Sequence, residues 1–491
     1  MKKSFIIIIL LLTAWALRAQ YPVDTVYQSH TATTPGLPAL YGSVTDTAVP
    51  SPVVLTRITD YVPEWDWYPH HEYAKIQPWN ADATMYKFYS VALYDATDYH
   101  KIRDLPGGEI WPSYWSNTDP DKIWSFRQNG DIRYYRISTD SVYQAGHIYL
   151  SDSAQTDYQA VMLGPGEGNM DRNDRFVALA CQAGADMDVV VYDLQADSVV
   201  VRRRFAGAWG NSAETYPHYV DWVSVSQSGQ YTGIMWDHNT TSASNPFNGH
   251  YGVEIYRTQD MQFLRRIAEY GNHGDFGYDS SGNEVFVQFW GPTGTLNMYY
   301  LDHLERVVLS NHPDFGGEGH ISCRNLQRPG WAYVSQDEAA RSGLMVAVRL
   351  DSSGRVEFFG HHFSTAASYL KSPMPVPSPD GTQVMFKSDF GDGNPDVVYT
   401  FVARAQSQAA VAENAQADVQ IFPNPAHGRV YVIAPWNFRN AALYDPNGRL
   451  IRRYLYLRNG EMNLDGLVPG LYVLRLIGRQ GQVFAGLVEV Y

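Results

Sequence analysis

The feature that most constrains the fold is a turn-and-strand pattern that recurs along most of the chain. A small polar turn precedes a β-branched or aromatic run, as in "QSGQYTGIMW", "SSGNEVFVQF" and "SPDGTQVMFKSD". The turns are centred on Ala83, Asp119, Asp174, Gly229, Gly282, Gly330 and Gly381. After the second turn, the steps are 55, 55, 53, 48 and 51 residues. A second apolar run and a tight turn usually follow, so each unit is a meander of strands, and no long segment has helical periodicity.

A period near 50 residues with about four strands per unit predicts an all-β propeller. A lone four-stranded sheet has two apolar faces, and blades in a ring bury these faces against each other. Seven turns predict seven blades, whereas six blades are the alternative because Asp119 follows Ala83 by only 36 residues. The last blade has room for some three strands, so we expect the early segment "SPVVLTRI", residues 51–58, to complete it and close the ring.

The C-terminal residues form four short β units separated by Pro-Asn-Gly and Pro-Gly turns, which predicts a small Ig-like β-sandwich over 418–491. "FPNPA" at 422–426, "LYDPNGR" at 443–449 and "LVPGLY" at 467–472 resemble the type IX secretion C-terminal sorting domain of Bacteroidetes. That resemblance implies contact with the type IX secretion machinery and a protein that is secreted or held on the outer cell surface. Many members of that family carry a lysine near the last strand, where this chain has "AGL" at 485–487.

The two ends and the charge set the context of these domains. Residues 1–19 have the charged start and apolar run of a secretory signal peptide, and no other segment is apolar enough to span a membrane. Between signal and tail the chain is acidic, as the net charge of −14 reflects, which argues against nucleic acid as a partner. We expect an N-terminal extension at 20–50, a propeller at 51–403 and a linker at 404–417.

Four of the 15 histidines fall at equivalent places in the repeat, about nine to twelve residues ahead of a turn. They are His71, His218, His273 and His320. In a propeller, these places lie just before the innermost strand, where side chains reach the central funnel. One histidine at such a place is usually a satisfied turn residue, but four in one layer predict a functional pocket.

One chemistry for this layer is a divalent metal ion. Imidazoles with a carboxylate suit zinc, manganese or similar ions. His273, Asp275 and His320 are the best candidate ligands because they belong to adjacent units. No local ligand spacing such as H-x-x-x-H supports the site.

The other chemistry is β-elimination on a uronic-acid polysaccharide, which needs a base, an acid and a group that neutralises the carboxylate. The candidate catalytic residues are His71, Tyr73, His218, His273, His320 and Arg324. "SPDGTQVMFKSD" at 378–389 resembles the signature of TolB-like and oligogalacturonate-lyase-like propellers, and oligogalacturonate and ulvan lyases place such groups on seven-bladed propellers. Oligogalacturonate lyases also carry metal-ligating histidines near the last such repeat. The segment "SPMPVPSPDG" has none, so no catalytic role transfers from that family.

The sequence therefore predicts a secreted propeller that acts on an extracellular polysaccharide. The alternative is a non-catalytic surface propeller that binds glycan or protein. Composition and repeat pattern are the same for both.

Overall fold

The computed structural model divides the chain into two compact units, residues 1–408 and 409–491. It describes residues 23–24, 27–61, 69–211, 213–236, 246–290, 294–312, 319–337, 343–394, 396–405, 419–433, 438–445, 450–455, 460–478 and 483–491. The predicted signal peptide at 1–19 and nearly all of the predicted linker lie outside the described residues. Helical structure in the described part is limited to short 3-10 turns, at Gly107–Ile110, Gly164–Gly166 and Tyr369–Lys371. None of the described helices is long and apolar enough to cross a membrane.

The first unit consists mainly of seven antiparallel meander sheets, numbered here in chain order. Sheets 1 and 2 contain Met85–Phe88, Ala92–Asp95 and Lys101–Asp104, then Ser113–Trp115, Lys122–Phe126, Asp131–Arg136 and Ser141–His147. Sheets 3 and 4 contain Val161–Met162, Phe176–Ala183, Asp186–Asp193 and Ser198–Phe205, then Val220–Val225, Tyr231–Trp236, Gly252–Arg257 and Phe263–Ala268. A two-stranded pair, Tyr149–Ser151 with Thr156–Asp157, lies between sheets 2 and 3 in the chain.

Sheets 5 to 7 complete the series, and two of them take strands from the N-terminal segment. Sheet 5 contains Gly274–Tyr278, Glu284–Trp290, Thr295–Tyr300 and Arg306–Ser310. Sheet 6 contains Ile321–Ser322, Trp331–Ser335, Leu344–Arg349, Val356–His361 and the outer strand Val23–Asp24. Sheet 7 contains Val376–Pro377, Val384–Ser388, Tyr399–Ala405, Val53–Arg57 and Ser43–Asp46.

Six of the seven turn residues of the repeat lie between the first and second strands of their sheets, whereas Ala83 precedes the first strand of sheet 1. Gly229, Gly282, Gly330 and Gly381 all have φ between +68° and +90°, the left-handed region that glycine adopts without steric cost. This is why the pattern is visible in the sequence: each meander needs the same backbone reversal at the same place.

The predicted pairing of the early segment with the last sheet is confirmed. Val53–Arg57 lies antiparallel to Tyr399–Ala405, with Leu55 opposite Ala403. The outer strand beyond it is tied to sheet 6, because the buried carboxylate of Asp46 accepts hydrogen bonds from the backbone N–H and Nδ1 of His361, both at 2.7 Å.

Each sheet shares a buried apolar cluster with the next, and sheet 7 shares one with sheet 1. Leu93 packs in one cluster with Ile123, and Met385 of sheet 7 belongs to the cluster of Tyr86 in sheet 1. The same holds for sheets 2 and 3, 3 and 4, 4 and 5, and 5 to 7. Because a fully buried apolar side chain stabilises a fold by roughly 1.5–3 kcal/mol, this cycle of clusters holds the unit together.

Two glutamine side chains donate hydrogen bonds to backbone carbonyl groups of other sheets. Gln77 donates from Nε2 to the carbonyl oxygens of Arg324 and Pro377, at 3.0 and 3.1 Å. Gln227 donates to those of Phe276 and Cys323, at 2.8 and 2.9 Å. These bonds join the segment before sheet 1 to sheets 6 and 7, and the turn of Gln227 in sheet 4 to sheets 5 and 6.

The second unit is a seven-stranded hydrogen-bonded array. In spatial order its strands are Leu450–Leu455, Phe438–Tyr444, Gly470–Gly478, Val483–Val490, Gln420–His427, Arg429–Ile433 and Glu461–Asn463. Alternate residues such as Leu474 and Leu476 point into one apolar cluster with Val430 and Leu443. The alternation in "LYVLRLI" is therefore the pattern of a strand with one buried face.

Candidate functional site

Two of the predicted histidines meet where the first strands of sheets 5 and 6 begin. The rings of His273 and His320 are stacked, with centroids 4.5 Å apart and planes at 22°. Nδ1 of His273 donates to the carbonyl oxygen of Gly319 at 2.7 Å, and Nδ1 of His320 donates to the carboxylate of Asp337 at 2.6 Å. Burial, and then the neighbouring His320, lower the pKa of His273.

Two tyrosines complete this group. The ring of Tyr73 lies edge-on to His320 and His273, with centroids 5.3 and 6.4 Å away, and Tyr369 lies 5.9 Å from His320. We call Tyr73, His273, His320 and Tyr369 the axial cluster. Burial is the main reason why the pKa of Tyr73 is well above its usual value, with the charge of Glu167 second.

His71 is close to the axial cluster and is fully buried. Its Nε2 donates to the carbonyl oxygen of Met374 at 2.7 Å. Burial, followed by the charge of Lys387, holds the pKa of His71 well below its ordinary value. This side chain ties the segment before sheet 1 to the segment before sheet 7.

The fourth histidine, His218, is not one of the axial cluster's rings. Its side chain is 38% exposed and lies 3.4 Å from Glu214, with its ring against Tyr219. His218 does precede the first strand of sheet 4, but its imidazole contacts Glu214 and Tyr219 of the same loop.

Arg324 and Asp275 form a buried ion pair. Nε and one terminal nitrogen of Arg324 donate to the two oxygens of Asp275, both at 3.0 Å, and each side chain is 3% exposed. The carboxylate also accepts from the backbone N–H groups of Cys323 and Phe276. The two side chains therefore neutralise each other through a bidentate, buried ion pair, a geometry that stabilises the fold.

The proposed metal trio is not assembled in this arrangement. Both oxygens of Asp275 accept hydrogen bonds from Arg324 and from two backbone N–H groups, so the predicted trio lacks a carboxylate ligand. Among the described residues, no three histidine, cysteine, aspartate or glutamate side chains are grouped so that they could hold a metal ion. The donor set of His273, Asp275 and His320 does not fit a divalent cation.

A cavity of about 490 Å³ lies beside the axial cluster. We call it the first cavity; its polar and aromatic lining includes His70, Glu72, Tyr73, Tyr89, Trp111, Tyr114, Tyr369 and Lys387. Its walls come from the segments before sheets 1, 2 and 7, from the loop at Tyr89, from the first strand of sheet 2 and from Lys387 in sheet 7. Trp111 and Tyr369, which are 51% and 61% exposed, lie at its open side.

The electrostatics of the first cavity centre on a buried lysine. Burial lowers the pKa of Lys387 to about 8, although the charge of Asp337 opposes the shift. Burial and then Lys387 lower the pKa of His70 to about 4. Nδ1 of His70 donates to the carbonyl oxygen of His71 at 2.7 Å, so its Nε2 holds the lone pair at neutral pH. Nearby, Glu72 pairs with Lys87 at 2.8 Å and Glu167 pairs with Lys75 at 2.6 Å.

Sequence reasoning missed His70 and Lys387. Lys387 lies within the quoted "SPDGTQVMFKSD", and a lysine inside an apolar strand was the available signal. His70 adjoins the selected His71, but the sequence does not indicate which of two consecutive imidazoles faces a cavity.

Comparison with known proteins supports the predicted propeller-like fold and the predicted sorting domain at the C-terminus. The chain is similar in structure to an oligogalacturonate lyase in complex with manganese, with a TM-score of 0.52, 11% identity, and coverage of 75% of this chain and 97% of that one. It is also similar to an oligogalacturonate lyase from Vibrio parahaemolyticus, with a TM-score of 0.51, 11% identity, and coverage of 78% and 98%. At this identity the likeness shows a β-propeller-like fold and nothing more. Among curated proteins, none matches this sequence.

The tail matches a known family. Residues 420–488 correspond to the family described as the secretion system C-terminal sorting domain. The segments "FPNPA", "LYDPNGR" and "LVPGLY" all lie within this range. The chain thus ends in a type IX C-terminal sorting domain, and the protein is exported to the cell surface or secreted.

Proposed function

We propose that this exported protein is a lyase that cleaves an extracellular acidic polysaccharide by β-elimination at the first cavity. The observation that carries the proposal is the buried ammonium group of Lys387 in a cavity wall shared with His70, Tyr73 and Tyr369. A buried cation that faces a cavity favours an anionic ligand, because the low local dielectric strengthens the attraction. The chain is acidic overall, so a buried cation in this cavity is evidence for a negatively charged ligand.

In the proposed reaction, a base removes the C5 proton of a uronate. The electron pair forms the C4–C5 double bond, the bond between C4 and the glycosidic oxygen breaks, and that oxygen takes a proton. Lys387 neutralises the carboxylate on C5 and so stabilises the developing carbanion.

His70 is the proposed base. It is neutral at pH 7 because its pKa is about 4, and with Nδ1 donating to the carbonyl oxygen of His71 it is Nε2 that carries the basic lone pair. Tyr369 is the proposed acid. Burial raises its pKa, with Glu167 as the next cause, so the phenol keeps its proton until the leaving oxygen needs it.

We also propose that the seven sheets are the blades of a closed propeller, and that the second unit is an Ig-like β-sandwich. The cycle of shared clusters, which returns from sheet 7 to sheet 1, supports the seven-bladed arrangement over the six-bladed one. The cluster of alternate residues in the second unit supports the sandwich.

The test is turnover of a panel of uronic-acid polysaccharides, followed by the absorbance of the unsaturated product. We expect kcat/KM to rise with pH through about 4, as His70 loses its proton, and to fall through about 8, as Lys387 does. Lys387→Met should reduce kcat/KM by about 10²-fold or more, because it removes the carboxylate's counter-charge.

Lys101→Met is the matched control, because this lysine pairs with Asp104 at the surface. It should leave turnover unchanged. If no product forms from any polysaccharide while the chain still binds them, the protein is a non-catalytic glycan-binding propeller. If Lys387→Met and wild type turn over equally, the assignment of the cavity is wrong.

A further inference from the structure

We infer that a second cavity continues the first one into a groove that holds several residues of one acidic polysaccharide chain, so that the protein cleaves within long chains. This inference rests on the proposed function. The second cavity has a volume of about 680 Å³. Each of the two cavities is within the ~300–1,000 Å³ that ligand pockets usually occupy.

The two cavities share a wall. Trp111, Pro112, Tyr114 and Gly166 line both of them. Tyr114 lies between the polar groups of the two sides: burial raises its pKa first, followed by Glu72 of the first cavity and Tyr216 of the second. A chain bound in one cavity therefore meets the other without crossing a separate surface.

The chemistry of the second cavity suits a sugar chain. Tyr216 is 57% exposed and offers a ring face on which a pyranose can stack, as does Trp111 at the shared wall. The amide residues Gln128, Asn129 and Gln159 line the same cavity, and amides can bond hydroxyl groups.

A second cation favours an acidic chain. Arg127 lines the second cavity and donates from one terminal nitrogen to the carbonyl oxygen of Gly108. Its Nε–H is buried and has no hydrogen-bond partner among the described atoms. The groove thus has Lys387 in one cavity and Arg127 in the next, which matches a polymer that repeats its carboxylates.

The test compares kcat/KM on uronate oligosaccharides from the disaccharide upward, and their affinities by calorimetry. Wild type should gain at least about tenfold in kcat/KM as the oligosaccharide grows long enough to fill both cavities. Tyr216→Ala should lose about five- to tenfold on long oligosaccharides and leave the shortest substrate unchanged, because only long chains reach that ring. Arg127→Gln should lose a similar factor on long acidic chains.

Tyr143→Ala is the control, since this tyrosine is also exposed, at 38%, but lies on sheet 2 and lines neither cavity. If wild type cleaves all lengths equally well, or if Tyr216→Ala impairs the shortest substrate as much as the longest, the groove is refuted and the lyase proposal stands. If no oligosaccharide is cleaved, the lyase proposal fails, and the calorimetry decides the groove: affinity that rises with length and depends on Tyr216 supports it, and affinity without these features overturns it.

Discussion

Replacing Arg324 by methionine distinguishes a structural role from a catalytic one for this residue. The sequence indicates Arg324 as a catalytic cation and Asp275 as a metal ligand, whereas the folded chain pairs the two at 3.0 Å with both side chains buried. Arg324→Met would leave the carboxylate of Asp275 buried and supported only by the N–H groups of Cys323 and Phe276.

The expected loss is large because the remaining charge stays desolvated. Removing one partner of a buried ion pair typically costs about 3–5 kcal/mol of unfolding free energy, whereas replacing both by apolar groups of similar size is often near neutral. We therefore expect Arg324→Met to be destabilised by about 3–5 kcal/mol, and the double variant Asp275→Leu with Arg324→Met to recover most of that loss.

Urea unfolding followed by tryptophan fluorescence measures these differences. Arg257→Met is the control, because Arg257 and Asp260 form a pair at 2.9 Å with side chains 48% and 49% exposed. It should change the unfolding free energy by no more than about 1 kcal/mol. A variant Arg324→Met that keeps wild-type stability and loses turnover would refute the structural role and restore the catalytic one.

Three further predictions follow from buried groups and backbone geometry. The stabilising effect of the neutral His70 is fully present above its unfolded pKa of about 6.5 and is lost as the pH falls toward its folded pKa of about 4. The free energy of unfolding should therefore fall by about 3 kcal/mol over that pH range, and His70→Gln should make it depend less on pH. Val54→Pro interrupts a strand paired on both sides, and should cost on the order of 1–3 kcal/mol by urea unfolding, more than Thr45→Pro on the outer strand. Gly164→Ala places a Cβ against the carbonyl oxygen of Val223 at a residue with φ +46°. This variant should lower the free energy of unfolding and weaken oligosaccharide binding at the nearby Gly166, which lines the cavity. The control Gly184→Ala, with φ +70° and open space around the Cβ, should lower the free energy of unfolding by only about 1–2 kcal/mol.

The sheets could be predicted from the sequence because every meander needs a tight reversal between its first and second strands. Glycines such as Gly229 and Gly282 adopt positive φ there, and a recurring backbone requirement leaves a recurring residue type. The closing strand was predictable for a related reason: "SPVVLTRI" had no sheet of its own, and sheet 7 lacked a strand.

The site could be predicted only in part. Position ahead of a first strand indicates that His273 and His320 lie together, and they do, since adjacent sheets bring their loops together. It fails to indicate the orientation of His218, because that depends on the path of a loop outside the repeat. It also misses Lys387, which lies on a second strand, where sequence alone does not distinguish a lysine in a cavity wall from one paired in the interior, as Lys371 is with Asp389 at 2.7 Å.

The position of the first cavity connects its chemistry to the pairing of the chain's early and late segments. His70 and Tyr73 precede sheet 1, whereas Tyr369 and Lys387 belong to the last part of the unit, about 300 residues later in the sequence. Nε2 of His71 donates to the carbonyl oxygen of Met374, and the hydroxyl of Thr400 donates to that of Pro69, so the two segments are bonded directly beside the cavity. The early and late segments are also joined where Val53–Arg57 pairs with Tyr399–Ala405. The proposed base and the proposed counter-charge come from the two segments that this pairing joins, and a variant that weakens the pairing should lose turnover before the other sheets lose their structure.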